Sequence, residues 1–208
     1  TFNHETHRSW TGIDGGWFDD RGEGIDHRAA VAGLVNVSPG FHRVVIDVGG
    51  GSTELTFFND NQLVFKQSFN IGTIRIIKNQ VEEAKWDEMK DFIRAKTKGY
   101  KEIICIGSGG NINTIQKHFV KRKEQEVYYS DLQKTFDALN GMTLDERILK
   151  YGFRPDRADV IVPAAQIFMH IMKRLNIETL HVPKVGLGDG MIHEMYEKMT
   201  KGKKVKKK

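Results

Sequence analysis

Two carboxylates flank a run of three glycines in the first third of the chain. Residues 46–54 read Ile-Asp-Val-Gly-Gly-Gly-Ser-Thr-Glu, which puts Asp47 before the glycines and Glu54 after them. Because a tight turn reverses the chain here, both carboxylates should return to one edge of a sheet. Glycine N–H groups can converge on an anion, since no Cβ blocks its approach. Two carboxylates beside such a cradle suit Mg²⁺ binding and the orientation or deprotonation of a water. The predicted phosphate-binding residues of this turn are Gly49, Gly50, Gly51, Ser52 and Thr53.

Two further glycine loops follow predicted strands. Residues 107–110, Gly-Ser-Gly-Gly, open a helix expected from Asn111, so the helix N–H groups and the positive end of its dipole would face a bound phosphate. Gly109 and Gly110 are the predicted contacts in this loop. Residues 186–190 repeat the pattern of strand, glycines and helix. Each loop alone could be a plain tight turn, but three in one sheet indicate a cleft for a polyanion or a nucleotide.

Two familiar nucleotide-binding motifs are excluded. The dinucleotide fingerprint needs a third glycine, yet Gly49-x-Gly51 leads to Glu54 and Gly107-x-Gly109 leads to Ile112. A P-loop needs Gly-x-x-x-x-Gly-Lys followed by Ser or Thr, and the sequence contains none.

The patterns around these loops predict an α/β class with a mixed sheet flanked by helices, in the order β-β-β-α-β-α-α-β-α. A β-branched run ending in the first glycines predicts a buried strand, and two apolar runs around a turn predict a hairpin. Thr143 and Glu146 form a predicted capping box. The predicted strands are 44–48, 54–58, 63–69, 103–106 and 179–183, and the predicted helices are 26–37, one around 86–93, 111–119, the helical region from 132, 158–175 and one after 190.

The composition and charge of the chain limit the classes of partner that it is expected to bind. Of the 208 residues, 39% are apolar and 28% charged, with a net charge of +5. Six lysines lie within residues 201–208, so the remainder is nearly neutral and the charge is weak evidence for nucleic acid. Such a run is usually solvated, although it could serve as an arm for nucleic acid or a membrane surface, or gather a polyanionic substrate. The lone Cys105 excludes a disulfide framework and favours a reducing, cytoplasmic setting. No apolar run approaches the roughly 18 residues that span a bilayer.

The segment 46–55 resembles the second phosphate-binding motif of the Ppx/GppA family of exopolyphosphatases and guanosine pentaphosphate phosphohydrolases, within the superfamily of sugar kinases, Hsp70 and actin. The resemblance implies a ribonuclease H-like sheet, as in one lobe of an actin-like ATPase. It divides the chain into an irregular segment at 1–25, a second lobe at 26–199 and a disordered lysine-rich tail at 200–208. Further matches occur in chain order at 72–75, 106–111, 144–147, 157–159 and 186–190.

The resemblance implies a metal-dependent phosphoanhydride hydrolase with Mg²⁺ as its cofactor. Its substrate would be polyphosphate or guanosine pentaphosphate, which the sequence does not separate. By position, Asp47 and Glu54 match the acidic pair around the metal and the attacking water. Arg157 matches a basic residue that faces the cleft, although a salt bridge to Asp156 or Asp159 explains it equally well. A homodimer is the expected assembly, with neither a specific nucleic-acid partner nor a membrane.

Three departures from the family pattern keep other functions open. Asp26 stands where the family has a glutamate proposed as general base, so it is a candidate base, or else a helix N-cap. Gly188 replaces an arginine, and no counterpart of the first lobe's Asp-x-Gly-Ser-Asn loop is found, so the chain is expected to be a second lobe.

A module that binds polyphosphate or a guanosine alarmone without hydrolysis is the alternative. A kinase of the wider superfamily is a third, against which the Ser-Thr-Glu sequence at 52–54 argues.

Overall fold

The computed structural model of the protein describes residues 42–59, 62–121, 125–183 and 199. Six strands form one sheet in the order β3-β2-β1-β4-β6-β5. The first three strands are an antiparallel meander, β4 and β6 continue parallel to β1, and β5 is antiparallel to β6. The strands are β1 (His42–Val48), β2 (Thr53–Asn59), β3 (Gln62–Phe69), β4 (Ile103–Ser108), β5 (Glu126–Tyr128) and β6 (Thr179–His181). The helices are α1 (Thr73–Ile77), α2 (Glu83–Thr97), α3 (Gly110–Phe119), α4 (Tyr129–Asn140), α5 (Leu144–Tyr151), α6 (Pro155–Ala158) and α7 (Ile161–Leu175).

One face of the sheet carries the main core. Successive side chains of a strand alternate between faces, so Val44, Ile46 and Val48 of β1 lie on the same face as Leu55 and Phe57 of β2. All five are at most 3% exposed and pack in one cluster with the buried residues of α7. This packing fixes the register of β1 on β2, because a slip of one residue would turn every core side chain to the other face.

The opposite face of the sheet, around β1, β2 and β4, carries both apolar and charged residues. Val45, Phe58 and Ile106 form a second, smaller apolar cluster on it. The same face carries Arg43, which is 3% exposed. Asp47 is the last residue of β1 on this face. β1 is therefore buried on both sides, as its continuous β-branched sequence predicts.

The structure confirms the mixed sheet and most of the predicted strands and helices. It also confirms the capping box, in which Glu146 N–H donates to Thr143 Oγ1 at 3.3 Å. Two short elements, α1 and β5, were not predicted, because five and three residues are too few to display a period. The expected helix 158–175 is found as α7, which begins three residues later at Ile161, while Ala158 ends the separate helix α6. The Ala158 carbonyl at the end of α6 accepts a bond from Arg147 Nη1 at 2.9 Å, and Pro163 lies in the first turn of α7, where no intrahelical N–H bond is lost.

Several predictions concern residues outside the described ranges. They are the irregular segment 1–25, the helix 26–37 with Asp26, the loop 186–190 with Gly188, the helix after it and the lysine-rich tail. Within the described part of the chain, no helix is both long and apolar enough to cross a membrane.

Candidate active site

The two predicted carboxylates stand opposite each other on the sheet. Asp47 of β1 and Glu54 of β2 are register partners in the antiparallel ladder, so their side chains share one face. On its other side Asp47 is the register partner of Ser108 at the end of β4. The hairpin reversal inferred from the sequence therefore brings both acids to one end of the sheet. The pairing of β4 with β1 places Ser108 beside Asp47 as well, a residue that the sequence analysis did not select.

The first glycine turn is held from one side by α1. Gly72, just before this helix, leaves no room for a side chain: a Cβ there would lie 2.3 Å from the Gly50 carbonyl oxygen. Three successive carbonyl groups of the turn accept hydrogen bonds from the start of α1. These bonds run from Thr73 N to Gly49 O (3.0 Å), from Ile74 N to Gly50 O (2.9 Å) and from Arg75 Nε to Gly51 O (2.7 Å).

This arrangement determines where the N–H groups of the turn point. In a planar trans peptide the C=O of one residue and the N–H of the next point in opposite directions. Because the carbonyls of residues 49–51 face α1, the N–H groups of Gly50, Gly51 and Ser52 face away from it. Three successive N–H groups on one side of a turn form an anion-binding concavity. Residues 72–75 match the family pattern, but the sequence analysis assigned them no role. In the structure these residues orient the glycine turn.

Thr53 requires a correction. It was predicted to contribute a hydroxyl donor to phosphate, but it is fully buried and its Oγ1 donates to the Ile71 carbonyl oxygen at 2.6 Å. The hydroxyl proton is thereby committed to joining β2 to the segment before α1. Ser52 is half-buried and remains a candidate phosphate contact.

The second glycine loop lies directly against Asp47. Gly109 has φ +93° and ψ 172°, a conformation essentially restricted to glycine, and a Cβ on it would lie 2.7 Å from Asp47 Oδ1. Asn111, in the first turn of α3, donates from Nδ2 to the Val48 carbonyl oxygen at 2.7 Å and so ties this helix to the end of β1. The start of α3 therefore lies beside the aspartate, where the helix dipole favours negative charge.

Arg157 reaches the same loop from α6. Its Nη1 and Nη2 atoms lie 3.1 Å from the position that a Cβ on Gly110 would occupy. Its Nε also pairs with Asp156 Oδ2 at 3.7 Å. The salt bridge to Asp156 is therefore present, and it approaches the guanidinium at Nε while the two terminal nitrogens lie over the loop.

A lysine that the sequence analysis did not single out also reaches the acidic pair. Lys66 of β3 places Nζ 3.4 Å from Glu54 Oε2, and the two side chains are only 15% and 18% exposed. Its register partner on β2 is Thr56, two residues from Glu54 on the same face. The alternation of side chains along β3 shows which of its residues share a face with Lys66. Which residues of β2 lie beside Lys66 follows only from the register of the two strands.

The donor set fits a hard divalent cation held partly by its substrate. In the described ranges, no group of three or more His, Cys, Asp or Glu side chains could hold a metal ion. Mg²⁺ does not need such a group, because it keeps several waters and is commonly held by one or two carboxylates together with substrate phosphates. The pair Asp47 and Glu54 supplies two carboxylates of this kind, and Gly109, whose Cβ position lies 2.7 Å from Asp47 Oδ1, adds no side chain there.

Comparison with known proteins gives a consistent result. The Ppx/GppA phosphatase family matches residues 27–199. Guanosine-5′-triphosphate,3′-diphosphate pyrophosphatases of Photobacterium profundum and Aeromonas hydrophila are each 24% identical to the chain. The matches cover 83% and 73% of this chain but only 37% and 33% of those proteins, so it spans about a third of the length of these curated relatives.

Solved structures of similar fold point the same way. A Ppx/GppA phosphatase of Aquifex aeolicus superposes with a TM-score of 0.65 at 22% identity, over 81% of this chain and 60% of that one. An exopolyphosphatase of Cytophaga hutchinsonii superposes with a TM-score of 0.60 at 23% identity, over 83% of this chain and 63% of that one. At these identities the likeness establishes the fold.

Proposed function

Because the chain belongs to the Ppx/GppA phosphatase family, we propose that it carries the acidic and phosphate-binding side of a phosphoanhydride hydrolase. The substrate would be a chain with a terminal phosphoanhydride, either inorganic polyphosphate or guanosine pentaphosphate. One observation carries the proposal: Asp47 and Glu54 are register partners at the sheet edge where the two glycine loops meet.

The backbone would bind the terminal phosphate. The N–H groups of Gly50, Gly51 and Ser52 face one side of the first turn, and the start of α3 offers further N–H groups from the second loop. Preorganised N–H donors stabilise charge that develops on phosphoryl oxygens without reorganising during the reaction. The terminal nitrogens of Arg157 lie over Gly110 and can hold two oxygens of one phosphate at once.

The carboxylates would handle the water. Water oxygen attacks the terminal phosphorus, the anhydride P–O bond breaks opposite to it, and the shortened chain leaves with the bridging oxygen. Asp47 and Glu54 orient the water, and a carboxylate accepts its proton. A Mg²⁺ ion held by the same pair would neutralise negative charge on the phosphoryl oxygens. Asp26 stays a prediction for the general base.

The test is phosphate release from long polyphosphate and from guanosine pentaphosphate, side by side, with and without Mg²⁺. Glu54→Gln keeps the size of the side chain and removes its charge, so we expect release to fall at least hundredfold while the circular dichroism spectrum is unchanged. Glu88→Gln is the matched control, because Glu88 is exposed on α2 and pairs with Lys85. Full activity of Glu54→Gln would refute the assignment.

The same experiment separates hydrolysis from binding alone. Tight polyphosphate binding that needs no Mg²⁺ and yields no phosphate would identify a sensing module instead. The ratio of the two release rates decides between the substrates.

A reducing, cytoplasmic setting is supported by the single, buried Cys105. A homodimer is the assembly that light scattering would test.

A further inference from the structure

Lys66 is a positive charge built into the acidic edge of the site. β3 pairs with β2 so that Ser68 stands opposite Glu54 and Lys66 opposite Thr56. Lys66 is therefore the diagonal neighbour of Glu54 on the same face of the sheet, a spacing that long side chains can bridge. The resulting contact joins Lys66 Nζ and Glu54 Oε2 at 3.4 Å.

This ion pair differs in its surroundings from the pair of Lys85 and Glu88 on α2. Lys66 and Glu54 are 15% and 18% exposed, whereas Lys85 and Glu88 on α2 are 45% and 52% exposed. Water and salt screen an exposed pair and leave it almost without net effect, while a partly buried pair is screened much less. Lys66 therefore acts on Glu54 more strongly than a surface lysine would.

We propose that Lys66 is a positioning residue that serves as the internal counter-cation of Glu54 and lowers the affinity of the acidic pair for a divalent cation in the absence of phosphate. The inference rests on the proposed function, in that it takes Asp47 and Glu54 as the cation-binding pair. The ammonium group and a divalent cation compete for the same carboxylate, and they repel each other when both are present.

The consequence is a site whose cation loading depends on the substrate. A terminal phosphate brings negative charge that offsets the repulsion between the ammonium group and the incoming cation. Loading of the cation is then coupled to the arrival of the phosphate, because a cation alone would add two positive charges beside the ammonium group and the phosphate offsets them. Lys66 thus offsets the charge of one of the two carboxylates when no phosphate is bound.

The experiment measures Mn²⁺ binding directly, by electron paramagnetic resonance on the full chain without phosphate. Mn²⁺ takes the same oxygen ligands as Mg²⁺. In Lys66→Met the dissociation constant should fall about tenfold, which corresponds to about 1.4 kcal/mol. Lys66→Arg keeps the charge and should stay within about threefold of the parent. Lys101→Met is the matched control, because exposed Lys101 precedes β4 at the opposite end of the sheet, so this variant removes one charge far from the site.

Three results would contradict either the inference or the proposed function on which it rests. If Lys66→Met binds Mn²⁺ no tighter than the parent, the counter-cation role is wrong. The same holds if Lys101→Met produces an equal gain, since the effect would then be one of overall charge. Should Lys66→Met fail to fold, Lys66→Thr places a strong strand-forming residue at the same position and the expected gain is the same. Glu54→Gln identifies the other failure: unchanged Mn²⁺ binding in that variant would show that the proposed acidic pair is not the cation site.

Discussion

Replacing Gly109 by alanine should damage the fold and the site together, for two separate reasons. The backbone at Gly109 has φ +93° and ψ 172°, where residues with a Cβ are strained by about 1–3 kcal/mol. The added Cβ would also lie 2.7 Å from Asp47 Oδ1, well inside van der Waals contact. Since the loop is fixed at the start of α3, the Asp47 side chain must move by several tenths of an ångström.

The magnitude follows from these two terms. The backbone strain predicts that the free energy of unfolding, measured by urea titration, falls by about 2 kcal/mol. The displacement of Asp47 predicts a loss in phosphate release of up to about hundredfold, the effect expected of a misplacement near 1 Å in a catalytic group. The release assay is run at a temperature where the variant is fully folded, so the two effects are measured independently.

Gly141→Ala is the matched control for this substitution. Gly141 follows α4 with φ −86° and ψ −2°, and no heavy atom of the described residues lies within 4 Å of its Cβ position. Alanine should therefore leave activity intact and raise stability by about 0.4–1 kcal/mol, because it restricts the unfolded chain. If Gly109→Ala were as stable and as active as Gly141→Ala, the close approach of the second loop to Asp47 would be refuted.

Three further predictions test the supports of the site. Gly72→Ala should lower the free energy of unfolding by about 1–3 kcal/mol in a urea titration, because its Cβ would displace the Gly50 carbonyl from its hydrogen bond to α1; unchanged stability would contradict the docking of the turn on α1. Burial raises the pKa of the Cys105 thiol far above its ordinary value, so a disulfide reagent should label it only in denaturant, and rapid labelling of the native protein would place β4 outside the core. Thr143→Ala removes a capping box and should cost about 1 kcal/mol, measured as a lower urea midpoint, whereas an unchanged midpoint would deny the cap any role.

The acidic pair was predictable from the sequence because two local signals agree. The β-branched run ending in Val48 and the apolar run beginning at Leu55 each predict a strand, and three glycines between them leave room only for a tight reversal. With the core side chains of both strands on one face, Asp47 and Glu54 must share the other. Their juxtaposition therefore required no knowledge of the remaining fold.

The supports of the site were not predictable in the same way. α1 is five residues long and holds the glycine turn through backbone N–H groups, which every sequence possesses. The role of Lys66 depends on the register of β3 on β2, and that register shifts at Phe57 and Phe58 through an irregularity that no pattern of residue types announces. Thr53 was misjudged because a hydroxyl beside a glycine turn can serve a ligand or the protein itself, and only its burial distinguishes the two.

The glycines of the two loops do not all have the same structural explanation. At Gly109 a Cβ would lie 2.7 Å from Asp47 Oδ1, so a neighbour within the protein explains the absent side chain. At Gly110 a Cβ would require the Arg157 guanidinium to shift by only a few tenths of an ångström. At Gly51 the described residues place no heavy atom within 4 Å of the Cβ position, the residue is exposed, and its φ lies outside the left-handed region. Neither packing nor backbone conformation therefore requires glycine there. Under the proposed function, a phosphate bound close to the backbone N–H groups of this turn is the neighbour that would leave no room for a Cβ.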